Sequence, residues 1–275
     1  MNLRSIHSRD NPQYKQLRQW ASSAQARRKA GMTLLDGVHL CESWLKHRGV
    51  PALCVVAESA LNHPEVATIV AQCQSTASSV SSADSATCVL LPDALFTPLG
   101  QVDHGVGILF VVRVPDATHS DFASHPLKNS AVLIDSVQDP GNLGTILRTA
   151  AAAGIEHIFC GPGTASVWSP KVLRAGMGAH FVLEIAEDVD LLQLIKHACV
   201  PVYATQPESQ DSIYATDLRA PSAWLFGHEG QGVSDELLAL ATQTLSIPQS
   251  AQVESLNVAA SVAICLFEQR RQRGA

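Results

Sequence analysis

Short apolar runs alternate with longer segments of helical spacing along the second half of this chain. Such runs are typical of buried strands, and here they predict strands at residues 131–135, 155–160, 181–185, 202–205, 223–226 and 245–247. The segments between them predict helices at 143–153, 189–198, 234–240 and 256–271. A further helix is predicted to begin at Ser169-Pro170, because proline is tolerated in the first turn of a helix. Strands that alternate with helices indicate a mostly parallel sheet covered on both faces.

A smaller α/β pattern precedes this region. Residues 33–35 and 52–57 are predicted strands on either side of a helix near 38–46, and 106–112 are a predicted buried strand. Residues 75–87 are rich in Ser and Ala, lack a period and are predicted to form a loop. We therefore divide the chain into a basic helical arm at 1–30, a small α/β domain at 31–112, a linker at 113–130 and a larger α/β domain at 131–275.

The composition is that of a folded protein. Of the 275 residues, 46% are hydrophobic and 16% are charged, which argues against a mainly disordered chain. The seven cysteines are dispersed without CxxC spacing, and this favours reduced thiols in a cytoplasmic protein over a disulfide framework or a zinc site. No apolar run is long enough to cross a bilayer and no signal segment is visible, so we predict neither a membrane partner nor a metal.

Positive charge is concentrated near the N-terminus of an acidic chain. The formal net charge is −6, yet residues 1–50 contain nine Lys or Arg and only three acidic residues. Phosphate contacts are local, so a basic segment can bind nucleic acid while the rest of the protein stays acidic. The candidate cations are Arg18, Arg27, Arg28 and Lys29. A solvated helix face is the alternative explanation of the same charges.

Three loops, at 139–149, 226–234 and 247–258, combine glycine or proline with polar side chains. Because open α/β sheets bind ligands at the carboxyl ends of their strands, we expect these loops to form one pocket. In the first loop Asn142 is placed to cap or brace a helix start. Arg148 follows further along that helix and has the planar fork that suits bidentate phosphate recognition.

The second loop places a carboxylate among glycines. Glu229 stands between Gly227 and the pair Gly230 and Gly232, where the backbone can approach a flat ligand closely. The order of these glycines is not that of the dinucleotide fingerprint, and no P-loop lysine follows them. The loop therefore predicts a ligand contact of a different kind.

The third loop carries two hydrogen-bonding side chains at a predicted helix start. Ser255 and Asn257 flank Leu256, a few residues after Pro248. Taken alone, this loop is explained by an ordinary helix cap. The histidines are dispersed without an HExxH pattern, and no Gly-x-Ser-x-Gly elbow is present, so neither metal-assisted nor serine hydrolysis is indicated.

Taken in order, the three segments resemble the signature motifs of the SpoU–TrmH family of RNA 2′-O-ribose methyltransferases, within the SPOUT class. The resemblance covers roughly residues 131–270, includes Ser169-Pro-Lys-Val-Leu-Arg-Ala and extends more loosely to Leu35-Asp36-Gly37. It implies S-adenosylmethionine as methyl donor, a trefoil knot in the C-terminal domain and a homodimer packed through that domain. It also implies that the small α/β domain binds structured RNA, either ribosomal or transfer RNA, together with the basic arm.

The resemblance also assigns roles to residues by motif. Arg148 would be catalytic, with Asn142, Glu229, Ser255 and Asn257 as its polar partners. The cofactor would lie against Gly227, Glu229, Gly230, Ile247 and Leu256. Because an arginine side chain stays protonated in proteins, we favour a role for Arg148 in gripping phosphate and stabilising developing alkoxide charge. Proton abstraction by Arg148 stays open.

Three positions depart from the family pattern. His228 stands where Asn or Ser is usual, Ala251 where glycine is common and Gly176 where Ser is common. The first two leave open a non-catalytic RNA-binding protein that retains the fold. A nucleotide-dependent oxidoreductase is another alternative, which the missing Gly-x-Gly-x-x-Gly fingerprint disfavours.

Overall fold

A computed structural model of the chain describes residues 3–75, 87–100, 105–115, 126–250 and 252–274. The chain divides into two units. The first comprises Met1–Asp116 with Trp168–Phe181, and the second comprises Ala117–Val167 with Val182–Ala275. The loop predicted at 75–87 and the linker predicted at 113–130 lie in large part outside the described residues.

A five-stranded mixed sheet is the centre of the first unit. In spatial order its strands are β1 (Arg4–Ser5), β4 (Thr87–Leu91), β3 (Leu53–Ala57), β5 (Ile108–Arg113) and β2 (Met32–Asp36). β1, β4 and β3 are parallel, whereas β5 is antiparallel to both of its neighbours. Every residue of β3 is buried, as expected of a central strand. The helices up to residue 96 are α1 (Pro12–Ser22), α2 (Ala24–Ala30), α3 (Val38–Arg48), α4 (Pro64–Ser75) and α5 (Asp93–Phe96).

Residues 3–30 are an integral part of this unit, which corrects the prediction of a separate basic arm. β1 pairs with β4, and Leu17 of α1 is fully buried. The helix begins at Pro12 because the side chain of Asn11 accepts hydrogen bonds from backbone N–H groups of the first turn. The cations of this segment therefore lie on the surface of a packed domain.

A six-stranded sheet is the centre of the second unit, and all of its pairings are parallel. In spatial order the strands are β11 (Gln243–Leu245), β9 (Val202–Thr205), β10 (Ala223–Phe226), β6 (Ala131–Ile134), β7 (His157–Cys160) and β8 (Glu184–Ala186). The helices of this unit are α6 (Pro140–Ala153), α8 (Leu191–Lys196), α9 (Asp235–Leu238) and α10 (Val258–Gln272). The predicted class, an α/β fold with a mostly parallel C-terminal sheet after a smaller α/β domain, is confirmed.

Helices cover both faces of this parallel sheet. Successive residues of a strand point to opposite faces, so Ala223 and Leu225 of β10 face one way, and they share a buried cluster with side chains of α8 and α9. Trp224 faces the other way, and its Nε1 donates a hydrogen bond to the side chain of Gln269 in α10 at 3.1 Å. α10 in turn packs against α6.

Trp168–Phe181 packs with the first unit, whereas the sequence division placed it within 131–275. This segment contains α7 (Pro170–Gly176). The hydroxyl of Thr33 donates a hydrogen bond to the carbonyl of Trp168 at 2.8 Å, and Nε of Arg48 donates to the carbonyl of Phe181 at 3.1 Å. These contacts join residues more than 130 positions apart, a separation that no local sequence pattern reports.

Most predicted elements of the second unit lie where they were expected, with shifted ends. β9 and β10 have the predicted bounds. α6 begins at Pro140, three residues before its predicted start, and β11 ends at Leu245, where the predicted strand began. In the first unit, β1, β4 and α4 had no predicted counterpart.

The described residues show neither a membrane-spanning helix nor a cluster of metal ligands. Across these ranges, no helix has the length and apolar character needed to span a bilayer. The same residues contain no group of three or more His, Cys, Asp or Glu side chains arranged to hold a metal ion. The seven cysteines all lie within the described residues and none forms a disulfide; Cys199 is the one that is exposed.

Candidate active site

The strand order brings the three motif loops to one edge of the parallel sheet. β6 lies beside β10, and β9 separates β10 from β11. Because these strands are parallel, the loops that follow β6, β10 and β11 leave the sheet at the same edge. They are, in order, the first, second and third loops of the sequence analysis.

The first loop begins with a helix cap supplied by Asp139. Its Oδ1 accepts a hydrogen bond from the backbone N–H of Asn142 at 2.8 Å, and Pro140 occupies the first helical position of α6, where proline is favoured. Asn142 was predicted to cap or brace this helix start, and the cap is supplied by Asp139. With Asp139 in that role, the side chain of Asn142 is available for contacts with the other loops.

The carboxylate of Glu229 joins the second loop to the first. Its oxygens accept hydrogen bonds from the backbone N–H groups of Gln138 at 3.2 Å and Asp139 at 3.1 Å, and from Nδ2 of Asn142 at 3.1 Å. Partial burial opposes ionisation of Glu229, but these hydrogen bonds outweigh it and hold the pKa of the carboxyl below its ordinary value. The carboxylate is therefore an anionic brace between two loops.

Asn257 extends the same network to the third loop. Its Nδ2 donates a hydrogen bond to Oδ1 of Asn142 at 3.0 Å. Its Oδ1 accepts from the backbone N–H groups of Ala259 at 2.9 Å and Ala260 at 3.3 Å, which caps α10. One chain of side chains, Glu229 to Asn142 to Asn257, thus links the three loops.

The second loop is closed on itself by its backbone. His228 and Gly232 exchange two hydrogen bonds of 2.9 Å, N–H to carbonyl in each direction. Gly232 has a φ of 71°, which glycine adopts without strain. A Cβ added at Gly227 would overlap backbone atoms of Gly232 and Val233. Glycine at 227 is therefore required by close packing of the loop.

An open cavity of about 320 Å³ lies against these loops, within the range of roughly 300–1,000 Å³ that small-molecule sites occupy. Its walls include all five residues predicted to bind the cofactor, which are Gly227, Glu229, Gly230, Ile247 and Leu256. Three acidic residues, Glu208, Glu229 and Glu254, line it, and the described lining contains no Lys or Arg. The cavity therefore suits a ligand that carries positive charge.

One wall of the cavity was missed by the sequence analysis. The segment from Thr205, the last residue of β9, to Glu208 lines the cavity. It carries no glycine pattern, and the only signal available was that it follows a predicted strand. Its place at the site depends on β9 lying between β10 and β11, which strand periodicity does not encode.

The structure brings together four of the five predicted catalytic residues. Ser255 lines the cavity, and Asn142, Glu229 and Asn257 form the hydrogen-bonded chain. Arg148 is exposed on α6 and does not line the cavity, and among the described residues its guanidinium makes no hydrogen bond or ion pair. It lies six residues beyond Asn142, which corresponds to about 9 Å along a helix.

The four predicted RNA-binding cations lie in the first unit and differ in availability. Nη1 of Arg27 donates a hydrogen bond to the carbonyl of Trp20 at 2.6 Å. Trp20 is near the end of α1, where carbonyls lack helical partners. Partial burial also lowers the pKa of Arg27. Nη1 of Arg18 donates to the carbonyl of Pro98 at 3.1 Å. Arg28 and Lys29 are exposed.

Two of the three departures from the family pattern can be located. His228 is part of the closed second loop and lines the cavity. Gly176 is buried at the end of α7. Ala251 lies outside the described residues.

Comparison with known proteins identifies the family. The profile of the SpoU rRNA Methylase family matches residues 129–267, a stretch that contains all three loops. The chain belongs to this family. The resemblance predicted from the motifs is therefore confirmed.

Relatives of this SpoU family member match along the whole chain. A protein named uncharacterized tRNA/rRNA methyltransferase, from Synechocystis sp. (strain ATCC 27184 / PCC 6803 / Kazusa), is 33% identical over 278 residues, covering 100% of this chain and 96% of its own. The 23S rRNA (guanosine(2553)-2′-O)-methyltransferase RlmP of Bacillus subtilis (strain 168) is 28% identical over 270 residues, covering 98% and 100%. Among solved structures, the AdoMet-bound rRNA methyltransferase from Sinorhizobium meliloti superposes with a TM-score of 0.81 at 27% identity, covering 98% of each chain.

Proposed function

We propose that this SpoU family protein is an enzyme that transfers the methyl group of S-adenosylmethionine to a ribose 2′-hydroxyl of RNA. The observation that carries the proposal is the hydrogen-bonded chain from Glu229 through Asn142 to Asn257, which joins the three motif loops beside one cavity. Relatives that match along the whole chain are named rRNA or tRNA methyltransferases. A protein that retained this fold only to bind RNA would not need the hydrogen-bonded chain of Glu229, Asn142 and Asn257 beside the cavity.

The cavity fits S-adenosylmethionine. This molecule carries a sulfonium and an ammonium group, and the acidic lining of Glu208, Glu229 and Glu254 is complementary to both charges. The backbone around Gly227, Ile247 and Leu256 would hold the adenosine part, and Gly230 leaves the second loop without a side chain at its tip. When bound, the cofactor supplies an electrophilic methyl group, so the chain needs no nucleophile of its own.

The side chains of the chain position the acceptor ribose. Asn142 is held at both ends of its amide, by Glu229 and by Asn257, and in this geometry it and Ser255 orient the 2′-hydroxyl. Correct alignment of reacting groups lowers a barrier by up to roughly 7–11 kcal/mol. The guanidinium of Arg148 grips a neighbouring phosphate and stabilises the developing charge on the 2′-oxygen.

We also propose that the protein acts as a homodimer packed through its second unit. Arg148 does not line the cavity of its own chain, so a second copy offers a way to complete the site. α10 exposes Phe267, whose side chain is 46% accessible to solvent. A large aromatic side chain exposed on a helix is the kind of group that an interface buries. The trefoil knot stays a prediction of the family resemblance.

RNA binding is assigned to the first unit. Arg9, Lys15 and Arg18 line a cleft of about 380 Å³ together with Tyr14 and Pro98. Lys15 is paired with Asp10 at 2.9 Å and Arg18 donates to the carbonyl of Pro98, so the cleft keeps a net positive charge, which matches the charge of an RNA backbone. With Arg27 engaged in capping α1, we propose that this cleft and the exposed Arg28 and Lys29 contact the substrate.

The substrate we propose is ribosomal RNA, modified in the cytoplasm. The B. subtilis relative, covered along its entire length, is named for a 23S rRNA guanosine. The test is mass-spectrometric mapping of 2′-O-methyl groups in ribosomal and transfer RNA from a strain that lacks the protein, complemented with the wild type or with Arg148→Ala. We expect one ribosomal methyl group to be restored by the wild type only. A change confined to transfer RNA would contradict the assignment.

A further inference from the structure

His228, at a position where the family pattern has Asn or Ser, binds the backbone inside the second loop. Its Nδ1 accepts hydrogen bonds from the backbone N–H groups of Gly230 at 3.0 Å and Gln231 at 3.2 Å. In the neutral imidazole one ring nitrogen accepts while the other carries the hydrogen. Nδ1 is therefore the acceptor, and the hydrogen is on Nε2.

This geometry is that of an Asx turn made by a histidine. Asn and Asp form such turns when the side-chain oxygen accepts from backbone N–H groups two and three residues further on. Nδ1 of histidine is separated from Cα by the same number of bonds as Oδ1 of asparagine. A histidine at 228 therefore preserves the acceptor that an asparagine would supply, in the same place relative to the backbone.

The two hydrogen bonds complete the closure of the loop. The backbone pair of His228 and Gly232 holds its ends together, and Nδ1 holds the amides of Gly230 and Gln231 in its interior. Both of these residues, and His228 itself, line the cavity. The wall of the cavity is thus shaped by hydrogen bonds within the loop itself.

We propose that His228 is a positioning residue for the cofactor, acting through Nδ1 on the backbone of Gly230 and Gln231. The inference rests on the proposed function, since it assumes that S-adenosylmethionine occupies this cavity. A pre-shaped wall strengthens binding because less ordering remains to be done when the ligand enters. The role belongs to the acceptor atom and its position, not to the size or aromatic character of the ring.

The test compares three variants of the full-length protein. His228→Asn keeps an acceptor at the same position, His228→Gln moves it one bond further out, and His228→Leu removes it. The dissociation constant for S-adenosylmethionine is measured by titration calorimetry, and kcat and KM for S-adenosylmethionine are measured with saturating RNA. Thermal unfolding of each variant checks that it is folded.

We expect His228→Leu and His228→Gln to weaken cofactor binding by about tenfold, the effect of losing roughly one net hydrogen bond. KM for S-adenosylmethionine rises in parallel while kcat stays within about twofold, because positioning of the cofactor wall acts on binding. His228→Asn is expected to bind within about twofold of the wild type. If His228→Leu does not fold, the comparison of Asn with Gln decides.

Two results would overturn the inference. Wild-type affinity in both His228→Leu and His228→Gln would show that the acceptor is dispensable, and equal losses in His228→Asn and His228→Gln would show that its position does not matter. Either result leaves the proposed function intact. Failure of the wild type to bind S-adenosylmethionine would instead overturn the proposed function, and the role of His228 with it.

Discussion

Glu229 is the residue through which the first and second loops contact each other. Its carboxylate accepts from the backbone amides of Gln138 and Asp139 and from the side-chain amide of Asn142. Three donors directed at one acidic side chain favour its ionised form. The same residue lines the cavity, so a single charge serves both the local structure and the site.

Replacing Glu229 by Gln keeps the shape of the side chain but removes its charge and one acceptor. At neutral pH we expect the free energy of unfolding to fall by about 1 kcal/mol, because hydrogen bonds to a charged acceptor are lost at a partly exposed site. Urea unfolding of both proteins measures the difference.

The pH dependence of that difference has a defined sign. The pKa of Glu229 is lowered in the folded protein, so its stabilising contribution is complete above the pKa of the unfolded state and is lost as pH falls through the folded-state value. The two proteins should therefore converge in stability only below about pH 4.5, the ordinary pKa of this group. A difference that stays constant down to about pH 3 would contradict the ionised state of Glu229.

For single residues, the sequence predicted which residues lie at the site better than it predicted which of them bond to each other. The motifs pointed to Asn142, Glu229 and Asn257, but not to the bonds between them, because those bonds join residues 87 and 115 positions apart. Asn142 was predicted to cap or brace the helix start; Asp139 supplies the cap, and Asn142 braces the loops. Either residue type caps a helix well, so composition alone could not choose between them.

The second loop has a tightly restricted geometry at Gly227. Gly227 packs against the backbone of Gly232 and Val233, which leaves no room for a side chain at this position. Gly230 is different, since an added Cβ would meet only the His228 ring, at 3.7 Å, which is an ordinary contact.

Gly227→Ala should therefore destabilise the protein much more than Gly230→Ala. The alanine at 227 forces the loop backbone apart, and we expect a loss of at least about 2 kcal/mol in the free energy of unfolding. For Gly230→Ala we expect a change within about 1 kcal/mol. Chemical denaturation of the two variants measures both values, and equal losses would refute the close packing at Gly227.

Strands were predicted more reliably than the order in which they pair. The apolar runs at 202–205 and 223–226 matched β9 and β10 to the residue, because a buried parallel strand is a short continuous apolar run. β1 is only two residues long and has no such run. Sheet order is set by long-range packing, and for that reason the cavity wall at Thr205 to Glu208 was missed.

The whole molecule divides its charge between two units. The first unit carries the cleft of Arg9, Lys15 and Arg18, while the cavity of the second is lined by acidic residues. The predicted basic arm proved to be part of a packed domain, so its deletion would remove Leu17 and other core residues. Surface substitutions are the appropriate test of RNA binding.

The triple variant Arg9→Ala/Lys15→Ala/Arg18→Ala should bind RNA less tightly than the wild type, whatever the sequence of the RNA. Each lost phosphate contact reduces the slope of log K against log salt by about 1, so we expect a reduction of about 2–3. Affinity for S-adenosylmethionine should not change. Fluorescence anisotropy at several salt concentrations measures the slope, with Lys196→Ala in the second unit as the control. An unchanged slope in the triple variant would move the RNA surface elsewhere.

Phe267→Asp tests the proposed homodimer. A charged side chain at a buried interface position is strongly unfavourable, whereas on a solvent-exposed helix face it costs little stability. We expect sedimentation velocity to show a dimer for the wild type and a shift towards monomer for the variant. A dimer of unchanged affinity in Phe267→Asp would exclude α10 from the interface.

The central claim is that these three loops carry out methyl transfer to ribose. It is tested most directly by incubating the purified protein with methyl-labelled S-adenosylmethionine and unmodified ribosomal RNA, followed by digestion and identification of the labelled nucleoside. We predict a single 2′-O-methylated nucleoside, and a loss of at least about 10²-fold in rate for Arg148→Ala with cofactor binding retained. Label on a base, or near-normal turnover in Arg148→Ala, would contradict the account.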